Sequence, residues 1–359
     1  MKKIIISVTN DLSTDQRVNK VATSLSKIGL SVLLVGIDSN KTFDDQFNVK
    51  RFKLYNRKGV FFYLEYNIRL FLFLMKSDFN ILLSNDADTI VPNLFVSKIK
   101  NKPLVYDSHE LFSEVPELIT RPVRKKIWKL VEYFCLPNLN FSYTVSDSIA
   151  DYYNTNHGIK MSVIRNFPLK KPVLNNNPSN KRKIIIYQGA INKDRGIELM
   201  VMSMNYVDAK LIIVGNGDES NRLKNLTKIN NLENKVSFLG HINFNKLHKI
   251  TQKADLGLSF EVDSCLAYRY SLPNKVFDYI NAEIPILVSD LPEYKKILNK
   301  YKFCNILVSR NPKVVATQIN KILSIDKNIY AKELKKAKRK FCWDSEELNL
   351  FKLFDKISF

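Results

Sequence analysis

The chain has 359 residues, 45% hydrophobic and 25% charged, with a formal net charge of +21. This length exceeds one ordinary domain, and the composition excludes a disordered or fibrous chain. The charge calls for an acidic partner, whether nucleic acid, an anionic membrane surface or phosphorylated substrates, and the excess of Lys over Arg counts against nucleic acid, where the bidentate guanidinium is favoured.

Strand-like and helix-like runs alternate from the first residues onward, which is the pattern of parallel sheets covered by helices. Lys3 to Val8 reads as a strand. Gln16 to Ile28 carries Val18, Val21, Ala22, Leu25 and Ile28 at helical spacing and stops at Gly29, and Ser31 to Val35 completes a βαβ unit. A strand at Val49 to Tyr55, an aromatic helix over Val60 to Met75, and a strand at Asn80 to Leu83 follow. Then come a helix over Ile90 to Ile99, a strand at Pro103 to Tyr106, a basic helix near Pro122 to Phe134, a strand at Phe141 to Val145, a helix capped by Ser146 or Asp147, and a strand at Ser162 to Arg165. The segment 169–183, with its prolines, Asn175 to Asn177 and a cluster of Lys and Arg, reads as a linker.

Beyond it the alternation restarts. Strands at Ile184 to Gln188, Lys210 to Val214, Val236 to Leu239 and Leu256 to Phe260 enclose helices over Asp194 to Met204, after Asp218 and over Asn245 to Lys253. Pro273 suits a first helical turn, so a helix begins near Leu272 and runs into a strand at Ile284 to Ser289. A helix over Pro292 to Asn299, a strand at Phe303 to Val308, a helix over Pro312 to Ile325 and a terminal helical region complete the chain. The expected organisation is thus an α/β chain of two Rossmann-like doubly wound domains facing each other across a cleft. They are residues 1–168, the linker 169–183, residues 184–340, and a helix over 341–359 packing back on the first domain.

Every motif with chemical potential falls at a strand's carboxyl end, where such folds bind ligands. The loop from Asn10 to Val18 offers Asp11, Asp15 and Arg17 and lacks the G-x-G-x-x-G of a dinucleotide site. After the strand ending at Tyr106 come Asp107-Ser108-His109-Glu110, an imidazole among carboxylates placed to meet sugar hydroxyls or a reacting centre. No H-E-x-x-H or second His lies at metal spacing. Gln188-Gly189 through Arg195-Gly196 is a strand end, turn and helix start that presents cations to a phosphate. Asn274 and Lys275 open the helix after Pro273, an end that favours anions, while Asp278 stands one turn later on nearly the same face, suited to sugar hydroxyls. The D-x-D of Asp86 and Asp88 reads as a helix N-cap with acidic first-turn residues rather than a metal site.

Cys135, Cys265, Cys304 and Cys342 form no C-x-x-C pair and read as reduced thiols of a cytoplasmic protein. The opening apolar run, Ile4 to Ile6, is short for a signal peptide, and Val60 to Met75 is interrupted by Glu65, Asn67 and Arg69, so a membrane would be met only at its surface. The basic helix Arg121 to Leu130 and the aromatic segment Val60 to Met75 mix cations with Trp, Phe and Leu as an interfacial surface does.

Taken together, Asn10-Asp11-Leu12 with Asp15-x-Arg17-Val18, Tyr106 to Leu111, Val163-Ile164-Arg165-Asn166, Tyr187 to Gly196, Leu211 to Gly217, and Leu272-Pro273-Asn274-Lys275 through Pro285 resemble the GT-B glycosyltransferases. The likeness is to the retaining, family-4-like group used in bacterial cell-surface polysaccharide assembly. The resemblance implies that the second domain binds a nucleotide-diphosphate sugar and the first an acceptor. Arg195, Lys275, Asn274 and Gly189 would then hold the diphosphate, and Asp278 and Tyr270 the donor ribose and sugar. His109 would lie at the reacting centre, and Asp11, Asp15, Arg17, Asp107, Glu110 and Asn166 would line the acceptor side. It implies no cofactor and no metal, a glycan or lipid-linked acceptor, and a cytoplasmic protein that is peripheral on the inner face of the cytoplasmic membrane. Departures from the pattern are Asp278 and Tyr270 in place of an E-x7-E pair, Glu283 where a Gly is common, and Ala190 where an Arg is common. Two other classes share the features: a sugar-nucleotide epimerase on the same fold, and a basic binder of sugar or nucleic acid without catalysis.

Overall fold

The computed structural model describes residues 1–12, 15–39, 46–173, 182–326 and 328–357. The chain divides into two compact units. The first is Met1–Asn166 with Cys265–Ala267 and the segment from Glu346 onward; the second is Phe167–Ser264 with Tyr268–Ser345. Most of the expected linker, residues 174–181, lies outside the described residues.

Among the described residues the first unit holds seven strands: β1 (Lys3–Ser7), β2 (Ser31–Ile37), β3 (Asn48–Phe52), β4 (Ile81–Asn85), β5 (Leu104–Ser108), β6 (Phe141–Thr144) and β7 (Ser162–Val163). All pair in parallel, in the order β3-β2-β1-β4-β5-β6-β7. The second unit repeats the plan with β8 (Ile184–Gln188), β9 (Lys210–Val214), β10 (Val236–Gly240), β11 (Leu256–Ser259), β12 (Ile286–Val288) and β13 (Cys304–Ile306), in the parallel order β10-β9-β8-β11-β12-β13. Each unit is therefore a doubly wound Rossmann-like sheet. The strand order reverses between β1 and β4 in one and between β8 and β11 in the other, and ligands of such sheets bind at those reversal points.

Local chemistry accounts for these elements. Helices cover both sheet faces, so the strands are apolar runs rather than alternating ones, as with the fully buried Ile4, Ile5 and Ile6. The helix Gln16–Lys27 buries Val18, Val21, Ala22 and Leu25 and is capped by Asp15, whose carboxylate accepts the Val18 N–H at 3.0 Å. Ser146, rather than Asp147, caps the helix Asp147–His157 by accepting the Ile149 N–H. In the second unit Ile185 and Tyr187 join one apolar cluster and Ile186 another, so successive side chains of β8 feed opposite faces of the sheet.

The helix after Pro273 runs over Asn274–Asn281, and Pro273 is its extended cap rather than a first-turn residue. Val276, Phe277, Tyr279 and Ile280 are buried, and the Phe277 ring packs at a tilt against Phe167 and Phe341, with ring centroids 4.4 and 5.6 Å away. Gly257 of β11 lets this helix approach, since a Cβ there would stand 2.4 Å from the Tyr279 ring. The helix ends through Glu283, which adopts φ +59°, a left-handed value that favours Gly, with the Ile284 N–H closing on the Tyr279 carbonyl at 3.1 Å. Lys338 sits 3.3 Å from the Glu283 carboxylate, an attraction that offsets part of the left-handed strain.

Candidate functional site

In the second unit the carboxyl ends of β8 and β11 carry a compact charged cluster. The residue after Gln188 is Gly189, at φ +136°, a backbone value that glycine adopts without strain. Any larger residue there would also touch the stem of Lys275, its Cβ standing 3.2 Å from the lysine Cε. The helix Asn274–Asn281 delivers Lys275 from its first turn. The side chain is 7% exposed and its ammonium lies 2.5 Å from Glu261 Oε1 and 4.6 Å from the centre of the Tyr187 ring.

Glu261, two residues past β11, is fully buried. Ser259 Oγ donates to its Oε2 at 2.7 Å, Tyr294 Oη donates at 3.2 Å, and Arg195 lies 3.9 Å away. Burial alone would push this carboxyl up; Lys275 first, then Arg195 and the Ser259 hydrogen bond, hold it below the usual range, so it is a carboxylate. Arg310 fixes the same turn by donating to the Phe260 carbonyl at 2.8 Å. Lys275 and Arg195 thus flank one carboxylate, with Arg310 on the backbone of the same turn, leaving a net positive group.

Arg195 is the member open to a ligand. Its side chain is 25% exposed, its guanidinium lies over the Tyr268 ring at 4.6 Å, and its Nε is buried with no hydrogen-bond partner. Such an orphaned donor on a partly exposed guanidinium suits an added anion. Asn274 is exposed at the helix start, Asp278 accepts from Gln188 Nε2 at 2.9 Å, and Tyr270 is half-buried just before the helix. A cavity of about 710 Å³ adjoins this turn, lined in part by Lys193, Gly196, Arg222, Val262 and Arg310.

The first unit carries a second cluster at the carboxyl ends of β4 and β5. Arg17 grips both carboxylate oxygens of Asp107, Nη2 donating to Oδ1 at 2.7 Å and Nε to Oδ2 at 2.9 Å, and donates to the Ile164 carbonyl at 3.1 Å. Both side chains are buried, at 4% and 0% exposure, so this pair ties the first helix to β5 instead of presenting charge to solvent. The His109 ring lies between Asp86, 3.2 Å from Nδ1, and Asp107, 3.2 Å from Nε2. Burial disfavours the imidazolium, but Asp86 and then Asp107 outweigh it and raise the His109 pKa well above its ordinary value. His109 is therefore a cation whose two ring nitrogens are both engaged by carboxylates, which removes it as a general base in this arrangement.

Asp86 stands at the N-cap position of the helix Ala87–Lys100, at φ +57°, yet its carboxylate makes no cap bond there and accepts the His109 N–H at 2.8 Å instead. Asp88, in the first turn, accepts from the Thr9 hydroxyl, and burial pushes its carboxyl up to about 7. The acceptor-side residues thus fall into different roles. Arg17 and Asp107 are internal; Asp15 caps a helix and accepts Asn10 Nδ2 at 2.7 Å; Asn166 accepts from Lys20 at 2.7 Å. Asp11 is half-buried and Glu110 exposed. Glu261 and Arg310 were not legible as site residues. Glu261 carries no motif, and only the strand end that buries it beside Lys275 reveals it.

Residues 173–341 match the family described as Glycosyl transferases group 1. The chain spans about half the length of the curated relatives it matches. One is the O-antigen chain mannosyltransferase RfbU of Salmonella typhimurium, 27% identical over 167 residues, 46% of this chain and 45% of that protein. Among solved structures the chain is similar to sucrose-phosphate synthase from Thermosynechococcus elongatus, at TM-score 0.81 and 15% identity over 99% of both chains. It is also similar to Anabaena HepE in complex with UDP and glucose, at TM-score 0.78 and 13% identity over 99% of this chain and 100% of that one.

Proposed function

We propose that this chain, a GT-B fold carrying a Glycosyl transferases group 1 domain, moves a sugar from a nucleotide-diphosphate donor to an acceptor hydroxyl with retention at the anomeric carbon. The observation that supports it most is the cluster of Lys275, Glu261 and Arg195 beside Gly189, a positive group at the reversal point of the second sheet. Loss of the diphosphate builds negative charge on its oxygens. Cations fixed beforehand stabilise that charge more in the transition state than in the ground state. Glu261 holds Lys275 in place before the donor arrives, and Arg195 brings the unpaired Nε. The leaving-group charge falls to these side chains, with no metal in the step.

Retention fits a front-face reaction in which the leaving phosphate takes the acceptor proton. In that reading His109, held as a cation by Asp86 and Asp107, does not serve as the base. HepE was solved with UDP and glucose, and RfbU is an O-antigen chain mannosyltransferase; both are in keeping with a nucleotide-sugar donor and a surface-glycan acceptor for this chain. Peripheral membrane association belongs to the same reading. No helix among the described residues is long and apolar enough to cross a membrane, while the helix Pro122–Cys135 exposes Val123, Leu130 and Phe134 among Arg124, Lys126 and Lys129. Sedimentation with anionic vesicles at moderate salt should carry the protein down; its staying in solution removes the membrane part.

Calorimetric titration with UDP-, GDP-, ADP- and CMP-sugars tests the donor. One nucleotide series should bind, and the double variant Lys275→Met/Glu261→Gln, which removes the pair without stranding a buried charge, should lose about 1.5–3 kcal/mol of that affinity. Equal binding in both proteins would refute the assignment. Donor consumed without acceptor would favour the epimerase, and RNA affinity with no response to any nucleotide sugar would favour a non-catalytic binder. Proton NMR of the product's anomeric centre decides retention.

A further inference from the structure

The first unit contains a cavity of about 540 Å³ that none of the roles above uses. Its walls come from the helices Gly59–Lys76, Ala87–Lys100 and Pro122–Cys135, through Phe62, Tyr63, Val91, Ile127, Trp128 and Val131. The aromatic part of the wall is rigid: Trp128 meets Tyr63 edge-on at 5.1 Å between ring centres and Phe112 at 4.8 Å. Arg57, Lys58, Arg121 and Arg124 also line it, at the starts of two of those helices. All four are exposed, and none makes a salt bridge to a carboxylate among the described residues. Their neighbours Lys125 and Lys129, by contrast, are both paired with Glu114, at 2.6 and 2.8 Å.

Asp88 is the one carboxylate among the residues that line this cavity, and it is buried with its carboxyl pushed up to about 7, so the four exposed cations keep an excess of positive charge that an anion would stabilise. The apolar wall beneath them excludes a plain anion as the whole ligand, because a phosphate gains nothing from Phe62, Val91 or Val131. The two halves together match an amphiphile with one anionic end. Val60 and Leu64 in the cavity wall and Ile68 and Leu72 beyond it recur at helical spacing, each more than half exposed, so an apolar path continues along the first of the three helices.

We propose that this cavity binds a lipid phosphate, its acyl or isoprenoid chain against Trp128 and its neighbours and its phosphate among Arg57, Lys58, Arg121 and Arg124. This rests on the glycosyltransferase reading and deepens it, since the acceptor is then a sugar or hydroxyl carried on a phosphorylated lipid. Charge complementarity selects this occupant over a neutral lipid or an apolar peptide.

Trp128 lines the cavity, and the second of the chain's two tryptophans, Trp343, is buried elsewhere, so tryptophan emission reports on the cavity directly. The full chain is titrated with dodecyl phosphate below its micelle concentration, without nucleotide. A saturable change in emission is expected, and Trp128→Phe should abolish it. The double variant Arg121→Ala/Arg124→Ala, altered only at exposed positions, should weaken binding by roughly tenfold or more. Inorganic phosphate and dodecyl maltoside should each fail to saturate the signal. No saturable change, equal affinity in the Arg double variant, or saturation by inorganic phosphate alone overturns the proposal. A parallel sedimentation with phosphatidylglycerol vesicles separates a membrane surface from a seated lipid: loss of vesicle binding with unchanged dodecyl phosphate affinity in the Arg variant overturns it as well. Lys275→Met/Glu261→Gln, impaired at the donor cluster, should bind dodecyl phosphate as the unaltered protein does. Failure of sugar transfer and failure of lipid binding are thus read separately.

Discussion

At the scale of single residues the two clusters pose different energetic problems. Arg17 and Asp107 are both removed from water, and their bidentate contact offsets a desolvation cost that neither could bear alone. Arg17→Ala leaves Asp107 buried with only His109 as counter-charge and should cost about 3–5 kcal/mol in urea unfolding. The same change combined with Asp107→Asn should cost markedly less, because the stranded charge is gone. Asp88 gives a pH signature. Its carboxyl is pushed up to about 7 in the fold against an ordinary 3.8, so the folded protein holds this proton where the unfolded chain has released it. The resulting stability is fully present below about pH 4 and is lost as pH rises through about 7. Urea midpoints compared across that range should show the unaltered protein falling relative to Asp88→Asn, with a constant difference above it; parallel curves throughout would show that Asp88 titrates normally.

At the scale of elements, the helix Asn274–Asn281 acquires its role from what it packs on. Its buried face binds it to β11, and Gly257 is the point of closest approach. Gly257→Ala brings a methyl group against the Tyr279 ring, so the ring or the whole helix must shift. A stability loss of about 1–3 kcal/mol is expected. Because Lys275 rides on that helix, donor affinity should fall in the same variant although no ligand-facing atom changes. Calorimetry showing normal donor binding at reduced stability would mean that the ring alone moves. The helix boundaries were largely legible, since Pro273, the apolar spacing and the following Ile-Pro strand are local signals. The use of Lys275 was only half legible: its placement at a helix start follows from the sequence, whereas its partner Glu261 lies fourteen positions back, on another element.

At the scale of the whole molecule, the segment from Glu346 belongs to the first unit although it follows the second in sequence. Within that unit Glu346 accepts the Arg165 N–H at 3.0 Å and Glu347 accepts from Ser24 at 2.6 Å and Lys27 at 2.7 Å. A chain ended at Ser345 should therefore melt at a lower temperature by calorimetry, with the loss confined to the transition of the first unit and nucleotide binding by the second retained. Equal loss in both would show that the segment serves the molecule as a whole. The alternation of strands and helices, the doubly wound class and the strand ends that carry the motifs were determined by sequence alone, because hydrophobic period, caps and breakers act over a few residues. The tertiary structure alone decided that Arg17 closes on Asp107, that His109 is held as a cation between two carboxylates, that Glu261 anchors Lys275, and that four exposed cations line a largely apolar cavity. Each depends on burial and on partners brought together from distant strand ends, and desolvation and Coulomb energy are set by that environment and not by neighbours along the chain.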